Sequence, residues 1–164
     1  MTPTTPPGQD ARDADAQRTT PARRWTPVAP GDDGSGAPLP PPRGAYSPAV
    51  RAGDFVFVSG QVPRDPHTGA LVGAGDVAVQ TQQTLANLRR VLAAAGAELA
   101  DVVSVAVHLA RADDWDAFDA RYREAFAPPF PTRTVVGAEL RGGVLVEVTA
   151  VAYVGPAAAA PGTP

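Results

Sequence analysis

Arg133 is the residue of this chain that is best placed to do chemistry. It follows Phe130-Pro131-Thr132 and begins a β-branched run that continues to Val136. Proline fixes its own backbone and pushes the preceding residue into extended geometry, and β-branched residues favour sheets, so Arg133 is predicted to open a strand. A guanidinium held in this way can bind both oxygens of a carboxylate. The alternative is an arginine at the rim of the domain that pairs with a surface acid.

Thiol and metal chemistry have few candidate residues. The sequence has no cysteine and two histidines, His67 and His108. Disulfides and a cysteine nucleophile are therefore excluded, and a zinc site would need an unusual ligand set. His67 lies in the turn sequence Asp65-Pro66-His67-Thr68-Gly69, where a solvated side chain is expected. His108 lies within a strand pattern, and we expect a hydrogen-bonded sheet residue rather than a general base.

A hairpin and a long helix are predicted in the first half of the folded region. Arg51-Ala52-Gly53-Asp54 has turn composition and precedes the strand run Phe55–Val58, so a hairpin with the residues 46–50 is expected. A helix is predicted between Asp76, its cap, and Gly96, its end. We expect Gln80, Gln82 and Gln83 on its solvated surface, and its buried stripe comprises Val77, Thr81, Thr84, Leu85, Leu88, Val91, Leu92 and Ala95.

A strand and a second helix follow. Residues 102–109 alternate as a strand, with Ser104, Ala106 and His108 on one face and Val103, Val105, Val107 and Leu109 on the other. The second helix is predicted to start with Asp113 as its cap and Asp116 in its first turn. Pro128 and Pro129 end it. The predicted buried stripe of this helix is Trp115, Phe118, Tyr122, Ala125 and Phe126.

The last two predicted strands are Arg133 to Ala138 and Val144 to Val154. The turn Arg141-Gly142-Gly143 joins them, so a hairpin is expected. The order strand, strand, helix, strand, helix, strand, strand indicates an α+β fold with two helices packed on one face of a mixed sheet. The other face needs a cover, and a homo-oligomer would supply it.

Composition limits the folded region to the middle of the chain. Residues 1–43 hold 10 of the 19 prolines and little apolar periodicity, so they are predicted to be disordered, as is the tail 155–164. Residues 44–154 remain for a single domain. A formal net charge of −3 and the absence of a basic stripe make nucleic acid an unexpected partner. No apolar run reaches the length of a membrane helix, and the simplest location is the cytoplasm.

Seven segments together resemble the RidA (YjgF) family of imine and enamine deaminases. The resemblance covers about Gly44 to Val154 with the motifs in family order. It implies a chorismate-mutase-like fold and homotrimers with a binding cleft at each subunit interface. The segments are Gly44–Val50, Phe57–Pro63, Asp65–Gly69, Gln80–Leu88, Ala94–Ala97, Phe130–Arg133 and Val146–Ala152.

The resemblance also assigns roles to individual residues. Arg133 matches the arginine that grips the substrate carboxylate, and Tyr46 matches a tyrosine that lines the pocket. Ser59 and Gly60 match the segment whose backbone borders the reacting group. Together with position 149, Arg133 and Gly60 are the expected catalytic positions.

Three positions depart from the family pattern. The family commonly has two glutamates in its last strand, and the second is thought to position water. Thr149 stands in the place of that second glutamate. Glu147 stands in the place of the first, and we expect it to be a polar residue paired across a subunit contact. Val135 replaces a cysteine and changes the polarity of the pocket. Asp119 replaces an asparagine on the second helix, where its charge could pair with Arg133 or repel a substrate carboxylate.

Two functions remain open at this point. The first is cofactor-free hydrolysis of reactive 2-imino or 2-enamino acids, made by pyridoxal-phosphate enzymes, to 2-oxo acids and ammonia. The second is a non-catalytic trimer that binds small carboxylate metabolites in the same interface cleft, an alternative that Thr149 favours. Neither needs a metal or an organic cofactor. In both cases the proline-rich amino-terminal segment could recruit a partner domain.

Overall fold

The computed structural model describes residues 23–156, which form a six-stranded sheet and two long helices. The predicted order of strands and helices is confirmed, with one short strand added before it. Single 3-10 turns lie at Leu99–Asp101 and Ala112–Asp114. The elements are β1 (Thr26–Pro27), β2 (Ala49–Ala52), β3 (Phe55–Gln61), α1 (Val77–Ala94), β4 (Val102–Leu109), α2 (Trp115–Ala125), β5 (Thr132–Gly137) and β6 (Val146–Tyr153).

The sheet is mixed, as predicted, with the strand order β1-β2-β3-β6-β4-β5. β2 and β3 form the expected hairpin. The pairing of β4 with β5 is parallel, and the other pairings are antiparallel. A parallel pair needs a crossover, and α2 provides it between β4 and β5. Both helices lie on one face of the sheet, where α1 packs against α2, β3 and β6.

The predicted hairpin between β5 and β6 is wrong. The turn Arg141-Gly142-Gly143 is present, with φ of 66° and 77° at its glycines. However, β6 pairs with β3 on one side and with β4 on the other, so it lies between these two strands. β5 pairs only with β4 and lies at the edge of the sheet. Turn residues specify a local reversal but not the partner of the next strand. The apolar face of β6 becomes buried only in the centre of the sheet, where it contributes Val146, Val148, Ala150 and Ala152 to the core.

The predicted ends and buried stripe of α1 are confirmed. The carboxylate of Asp76 accepts hydrogen bonds from the backbone N–H groups of Ala78 and Val79 at 2.9 and 3.1 Å. The chain leaves the helix through Gly96, whose φ of +73° suits glycine. The polar positions differ, because Gln82 is exposed but Gln80 is completely buried. Gln80 carries out a structural role that is described with the site.

The start of α2 also differs from the prediction. Asp113 lies in the 3-10 turn and does not cap the helix, which begins at Trp115. The preceding residue, Asp114, accepts two hydrogen bonds of 2.9 Å from Arg111. Trp115 is the first residue of the helix and is 43% exposed instead of buried, with its ring over the Arg133 guanidinium. The rest of the stripe follows the prediction, since Phe118, Tyr122 and Phe126 lie in the core.

A bulge in β4 exposes Val103, which the alternation places on one face with Val105, Val107 and Leu109. Val102 pairs with Ala152, but Ser104 pairs with Val151, so Val103 is an extra residue in the ladder. Val103 is 43% exposed, whereas Val105, Val107 and Leu109 are buried as expected. Strict alternation in the sequence cannot reveal an inserted residue of the same apolar type.

Packed structure begins before the predicted boundary at residue 44. Thr26 and Pro27 pair with Arg51 and Val50 of β2. Leu39, predicted to be disordered, lies in the core with 4% of its surface exposed. Residues 23–43 have few apolar side chains, and Leu39 docks on a core supplied by the rest of the chain. The disorder expected for residues 1–43 and 155–164 stays a prediction, and most of these residues, 1–22 and 157–164, lie outside the described residues.

The sheet face opposite the helices carries large exposed apolar side chains. Phe55 and Phe57 of β3 are 43% and 45% exposed, and Val136 of β5 is 46% exposed. Phe55 packs on Tyr153 of β6 with ring centroids 5.3 Å apart. Such an apolar face marks an interaction surface. The predicted cover by further copies of the chain stays a prediction.

Candidate functional site

A bulge in β3 forms the first part of the candidate site. Val58 pairs with Ala150 and Gln61 with Val148, so Ser59 and Gly60 together oppose Thr149. Bulges take backbone groups out of the ladder and are over-represented beside active sites. The hydroxyl of Ser59 donates to the carbonyl oxygen of Ser47 at 2.7 Å, and this bond fixes the bulge against the segment that carries Tyr46.

Glu147 extends from β6 over Gly60. A Cβ on residue 60 would overlap Glu147 Oε1 and lie 2.8 Å from its Cδ, so the approach requires glycine. Glu147 and Thr149 share the open face of the sheet, because the residues between and beside them in β6 are buried. The carboxylate therefore borders the bulge and not the core.

These residues line a cleft of about 770 Å³, which we call the bulge cleft. Tyr46, 48% exposed, stands at its edge, and its hydroxyl accepts a hydrogen bond from the backbone N–H of Arg43 at 3.1 Å. Thr149 opposes the bulge in the sheet but is not among the residues that line the cleft. The lining comprises Arg43, Tyr46, Ser59, Gly60, Val62, Arg64, Glu139, Leu140, Arg141, Gly142, Val144 and Glu147.

Arg133 lies at the second part of the candidate site, on the helix side of the sheet. It is the second residue of β5, which begins one residue earlier than predicted, and 20% of its side chain is exposed. Its guanidinium carbon lies 4.5, 5.2 and 5.6 Å from the ring centroids of Tyr122, Trp115 and Phe118. Cation–π contacts on three rings hold the guanidinium in place. The alternative, a rim arginine that pairs with an acid, stays a prediction beside the carboxylate-binding one, because Arg133 also faces the carboxylate of Asp119.

Asp119 provides the charge that faces Arg133. Its Oδ1 lies 2.8 Å from Arg133 Nη1, and its Oδ2 accepts a hydrogen bond of 2.6 Å from Arg123 Nε. The bond from Arg123, followed by the contact with Arg133, holds the pKa of the Asp119 carboxyl below its usual value. Of the two effects expected for Asp119, pairing with Arg133 is the one observed. One carboxylate faces two guanidinium groups, so the cluster keeps a net positive charge for an anionic ligand.

The two parts of the site lie apart within one chain. Arg133 borders a hollow of about 270 Å³ with Asp119, Tyr122 and Phe130. Two strands, β6 and β4, separate β5 from β3, a distance of about 14 Å at the usual strand spacing. In addition, Arg133 faces the helices, whereas Glu147 faces the open side. A small ligand cannot contact Arg133 and the bulge cleft of the same chain at once.

Two other predicted residues have supporting positions. Val135 pairs with Val107 and packs against the core on the helix side, two residues beyond Arg133. His108 pairs directly across the ladder with Glu147. Its Nδ1 is buried with no hydrogen-bond partner in residues 23–156, so the expectation of a hydrogen-bonded sheet histidine is wrong for that atom.

Buried amides of α1 were missed as site residues. Gln80 donates to the carbonyl oxygen of Gly143 at 2.9 Å and accepts from the N–H of Leu145 at 2.7 Å. Asn87 donates to the carbonyl oxygens of Val62 and Arg64 at 2.9 and 2.8 Å. The signal was their spacing, because each lies three residues after one member of the apolar stripe and four residues before another, on the same helix face. These amides fix the two loops that line the bulge cleft.

No group of three or more histidine, cysteine, aspartate or glutamate side chains within residues 23–156 could hold a metal ion. The described helices are also too short or too polar to cross a membrane.

Known proteins share this sequence and fold. Residues 37–154 match the family model described as Endoribonuclease L-PSP. The RutC family protein PH0854 of Pyrococcus horikoshii is 43% identical over 115 residues, which cover 70% of this chain and 90% of the relative. The 2-iminobutanoate/2-iminopropanoate deaminase of Homo sapiens is 37% identical over 123 residues, 74% of this chain and 89% of the relative. The crystal structure of E. coli TdcF with bound serine matches with a TM-score of 0.65 and 31% identity, over 70% of this chain and 92% of that chain.

The fold and the site define an α+β domain with an arginine hollow on its helix side and a glutamate-lined cleft at a sheet bulge. The chain belongs to the Endoribonuclease L-PSP family, the RidA (YjgF) family that its motifs indicated. The family prediction and the α+β fold prediction are both confirmed.

Proposed function

We propose that this protein hydrolyses reactive 2-imino and 2-enamino acids to 2-oxo acids and ammonia without a cofactor. The observation that carries the proposal is Arg133, which three aromatic rings and a strand hold at a hollow as a carboxylate-binding group. The deaminase names of relatives that are 35 to 38% identical support it. The reactive imines formed by pyridoxal-phosphate enzymes are the proposed natural source of substrate.

The proposed reaction needs little beyond positioning. Water adds to the imine carbon, and one of its protons passes to the nitrogen. The new hydroxyl group then gives its proton to the nitrogen as the carbon–nitrogen bond breaks, which releases ammonia and leaves the 2-oxo acid. Arg133 would hold the substrate carboxylate. Glu147 would orient the water and accept its proton, a role for which Thr149 lacks a suitable group at neutral pH. The position of the Glu147 carboxylate over Gly60 supports this choice.

A homotrimer would complete the site. Because Arg133 and the bulge cleft of one chain are about 14 Å apart and on opposite sheet faces, a second copy must bring its own arginine hollow to the cleft. The exposed aromatic residues Phe55 and Phe57 support such packing through the open face.

Coupled turnover tests the proposal directly. The purified protein is mixed with an amino-acid oxidase or a pyridoxal-phosphate dehydratase, and the appearance of 2-oxo acid is followed. Faster formation that is lost in Arg133→Ala and kept in Arg121→Ala supports the enzyme, because Arg121 pairs with Glu124 on the surface of α2. Equal rates for the wild type and Arg133→Ala would contradict the role of Arg133.

Glu147→Gln and Thr149→Val form a matched pair for the water-positioning group. Both residues lie on the same face of β6. Glu147→Gln is expected to lower kcat by about a hundredfold, the range of one acid–base group, and Thr149→Val by much less. A larger loss of kcat in Thr149→Val than in Glu147→Gln would assign the water-positioning role to position 149 instead. A gain of activity in Thr149→Glu would agree with that result.

A binding function remains the second candidate. E. coli TdcF with bound serine supports it, as does the absence of a glutamate at position 149. A protein of this kind would bind small carboxylates through Arg133 without accelerating imine hydrolysis. Binding of 2-oxobutanoate that depends on Arg133, together with no turnover of imines from several amino acids, would favour this candidate.

A further inference from the structure

Two loops carry arginines to the bulge cleft from opposite sides. Arg64 follows β3, Arg141 precedes β6, and Arg43 approaches beside Tyr46. No carboxylate oxygen in residues 23–156 lies within 4.0 Å of any of these three guanidinium groups. Glu139 and Glu147 line the same cleft, so its charged side chains sum to one positive charge. The cleft therefore holds cationic groups without an internal ion-pair partner.

Buried amides hold the Arg64 side of the cleft rigid. Asn87 has no exposed surface and donates to the carbonyl oxygens of Val62 and Arg64 at 2.9 and 2.8 Å. Gln83 adds a bond of 3.3 Å to the same Arg64 carbonyl. The guanidinium is fixed as well, because Arg64 Nη1 donates to the carbonyl oxygen of Gly69 at 3.2 Å. These contacts place Arg64 before any ligand arrives.

The Arg141 side is held by the other buried amide. Gln80 donates to the carbonyl oxygens of Gly73 and Gly143 at 3.1 and 2.9 Å and accepts from Leu145 N–H at 2.7 Å. The turn meets Arg64 at Gly142, where a Cβ would lie 3.3 Å from Arg64 Nη2. Helix α1 therefore fixes both arginine loops relative to each other, through residues that lie two turns apart.

We propose that Arg43, Arg64 and Arg141 form a second anion-binding group, so that the preferred substrates are imino acids with a second carboxylate, such as those formed from aspartate or glutamate. This inference rests on the proposed function. A neutral imino acid uses one carboxylate, which Arg133 of a second copy binds in the proposed homotrimer, and leaves the cleft arginines without a partner. A second carboxylate gains charge-assisted hydrogen bonds from groups that are already positioned, which costs little conformational entropy.

The test compares imines generated from aspartate with imines generated from alanine by the matching amino-acid oxidases. The wild type is expected to show a kcat/KM at least about tenfold higher for the imine from aspartate than for the imine from alanine. This factor corresponds to the contribution of one charge-assisted hydrogen bond. Arg64→Gln is expected to lose about ten times more activity with that imine than with the imine from alanine. Arg89→Gln is the matched control, because Arg89 lines a separate surface hollow on α1 and its replacement should change neither rate.

The outcomes separate this inference from the proposed function. One outcome is that both imines are turned over with equal efficiency in an Arg133-dependent way and that Arg64→Gln lowers both rates equally. This outcome would overturn the second anion-binding group and leave the deaminase proposal intact. If neither imine is turned over, calorimetry compares the binding of glutarate, which has two carboxylates, with the binding of butyrate, which has one. Tighter binding of glutarate that depends on Arg64 supports the group, whereas equal binding overturns it. Inhibition by inorganic phosphate as strong as that by glutarate would also overturn the dicarboxylate assignment.

Discussion

Asp119 Oδ1 lies 2.8 Å from Arg133 Nη1, so a carboxylate of the protein already faces the arginine that is proposed to bind the substrate carboxylate. The geometry of this pair does not satisfy a hydrogen bond at Oδ1. Asp119 is instead bonded to Arg123. The pair is therefore an electrostatic contact that lowers the attraction of Arg133 for anions.

Asp119→Asn is expected to strengthen carboxylate binding. Removal of a negative charge beside Arg133 should lower KM by about three- to tenfold, with a smaller change in kcat, since the pair is partly exposed and screened by solvent. Steady-state kinetics with a neutral imine measure both constants. Asp116→Asn, an exposed change in the first turn of α2, is the control. An unchanged KM in Asp119→Asn would show that Arg133 does not contact the substrate.

Acid should remove the stability that Asp119 contributes. Its folded-state pKa lies below the ordinary value of 3.8, because Arg123 and Arg133 favour the charged form. A lowered pKa stabilises the fold above the unfolded-state pKa, and this stability is lost as pH falls through the folded-state pKa. The difference in the free energy of unfolding between wild type and Asp119→Asn should therefore shrink between pH 5 and pH 2, roughly the range around these pKa values. A difference that stays constant over this range would contradict the assignment.

Gly60→Ala should disable the bulge cleft while the protein stays folded. The new methyl group would overlap the Glu147 carboxylate and displace it. A displacement of about 1 Å can lower activity by about a hundredfold. Gly137→Ala is the matched control, because that strand glycine has no atom within 4 Å of the added Cβ. Normal turnover in Gly60→Ala, with thermal unfolding unchanged, would show that Glu147 is not needed at its observed position.

Gln80 and Gln82 of α1 offer a further matched pair. Gln80→Met keeps the size of the side chain but leaves Leu145 N–H and the Gly73 and Gly143 carbonyls without their partner. We expect the free energy of unfolding to fall by about 2 to 4 kcal/mol. The exposed change Gln82→Met should stay within about 0.5 kcal/mol. Chemical denaturation measures both, and equal effects would mean that solvent replaces the Gln80 bonds.

Local sequence signals predicted most of the elements, because these signals act over a few residues. Asp76 and Gly96 mark the ends of α1, and Phe130-Pro131 marks the start of β5. Long-range features escaped prediction. The insertion of β6 between β3 and β4 depends on which face becomes buried, and no turn sequence encodes it.

The candidate site shows the same division. Arg133, Tyr46, Ser59 and Gly60 were found from their motifs, and the structure separates Arg133 from the other three. The proposed role of Glu147 rests on its contact with Gly60 in the neighbouring strand β3. The spacing of residues along β6 alone cannot reveal this contact. Gln80 was misassigned to the solvated surface because glutamine is usually a surface residue.

Tyr122→Phe tests the surroundings of Arg133 from the side of the core. The Tyr122 hydroxyl is buried without a hydrogen-bond partner in residues 23–156, and burial raises its pKa above the usual 10.0. An unpaired buried hydroxyl costs free energy, so Tyr122→Phe should leave the stability unchanged or raise it by up to about 1 kcal/mol. The aromatic ring that contacts the guanidinium is retained, and carboxylate binding by Arg133 should persist. Tyr122→Leu keeps the bulk without the ring, and its weaker binding in calorimetry would assign the effect to the cation–π contact. A loss of more than 1 kcal/mol in Tyr122→Phe would instead mean that the hydroxyl has a partner in the assembled protein.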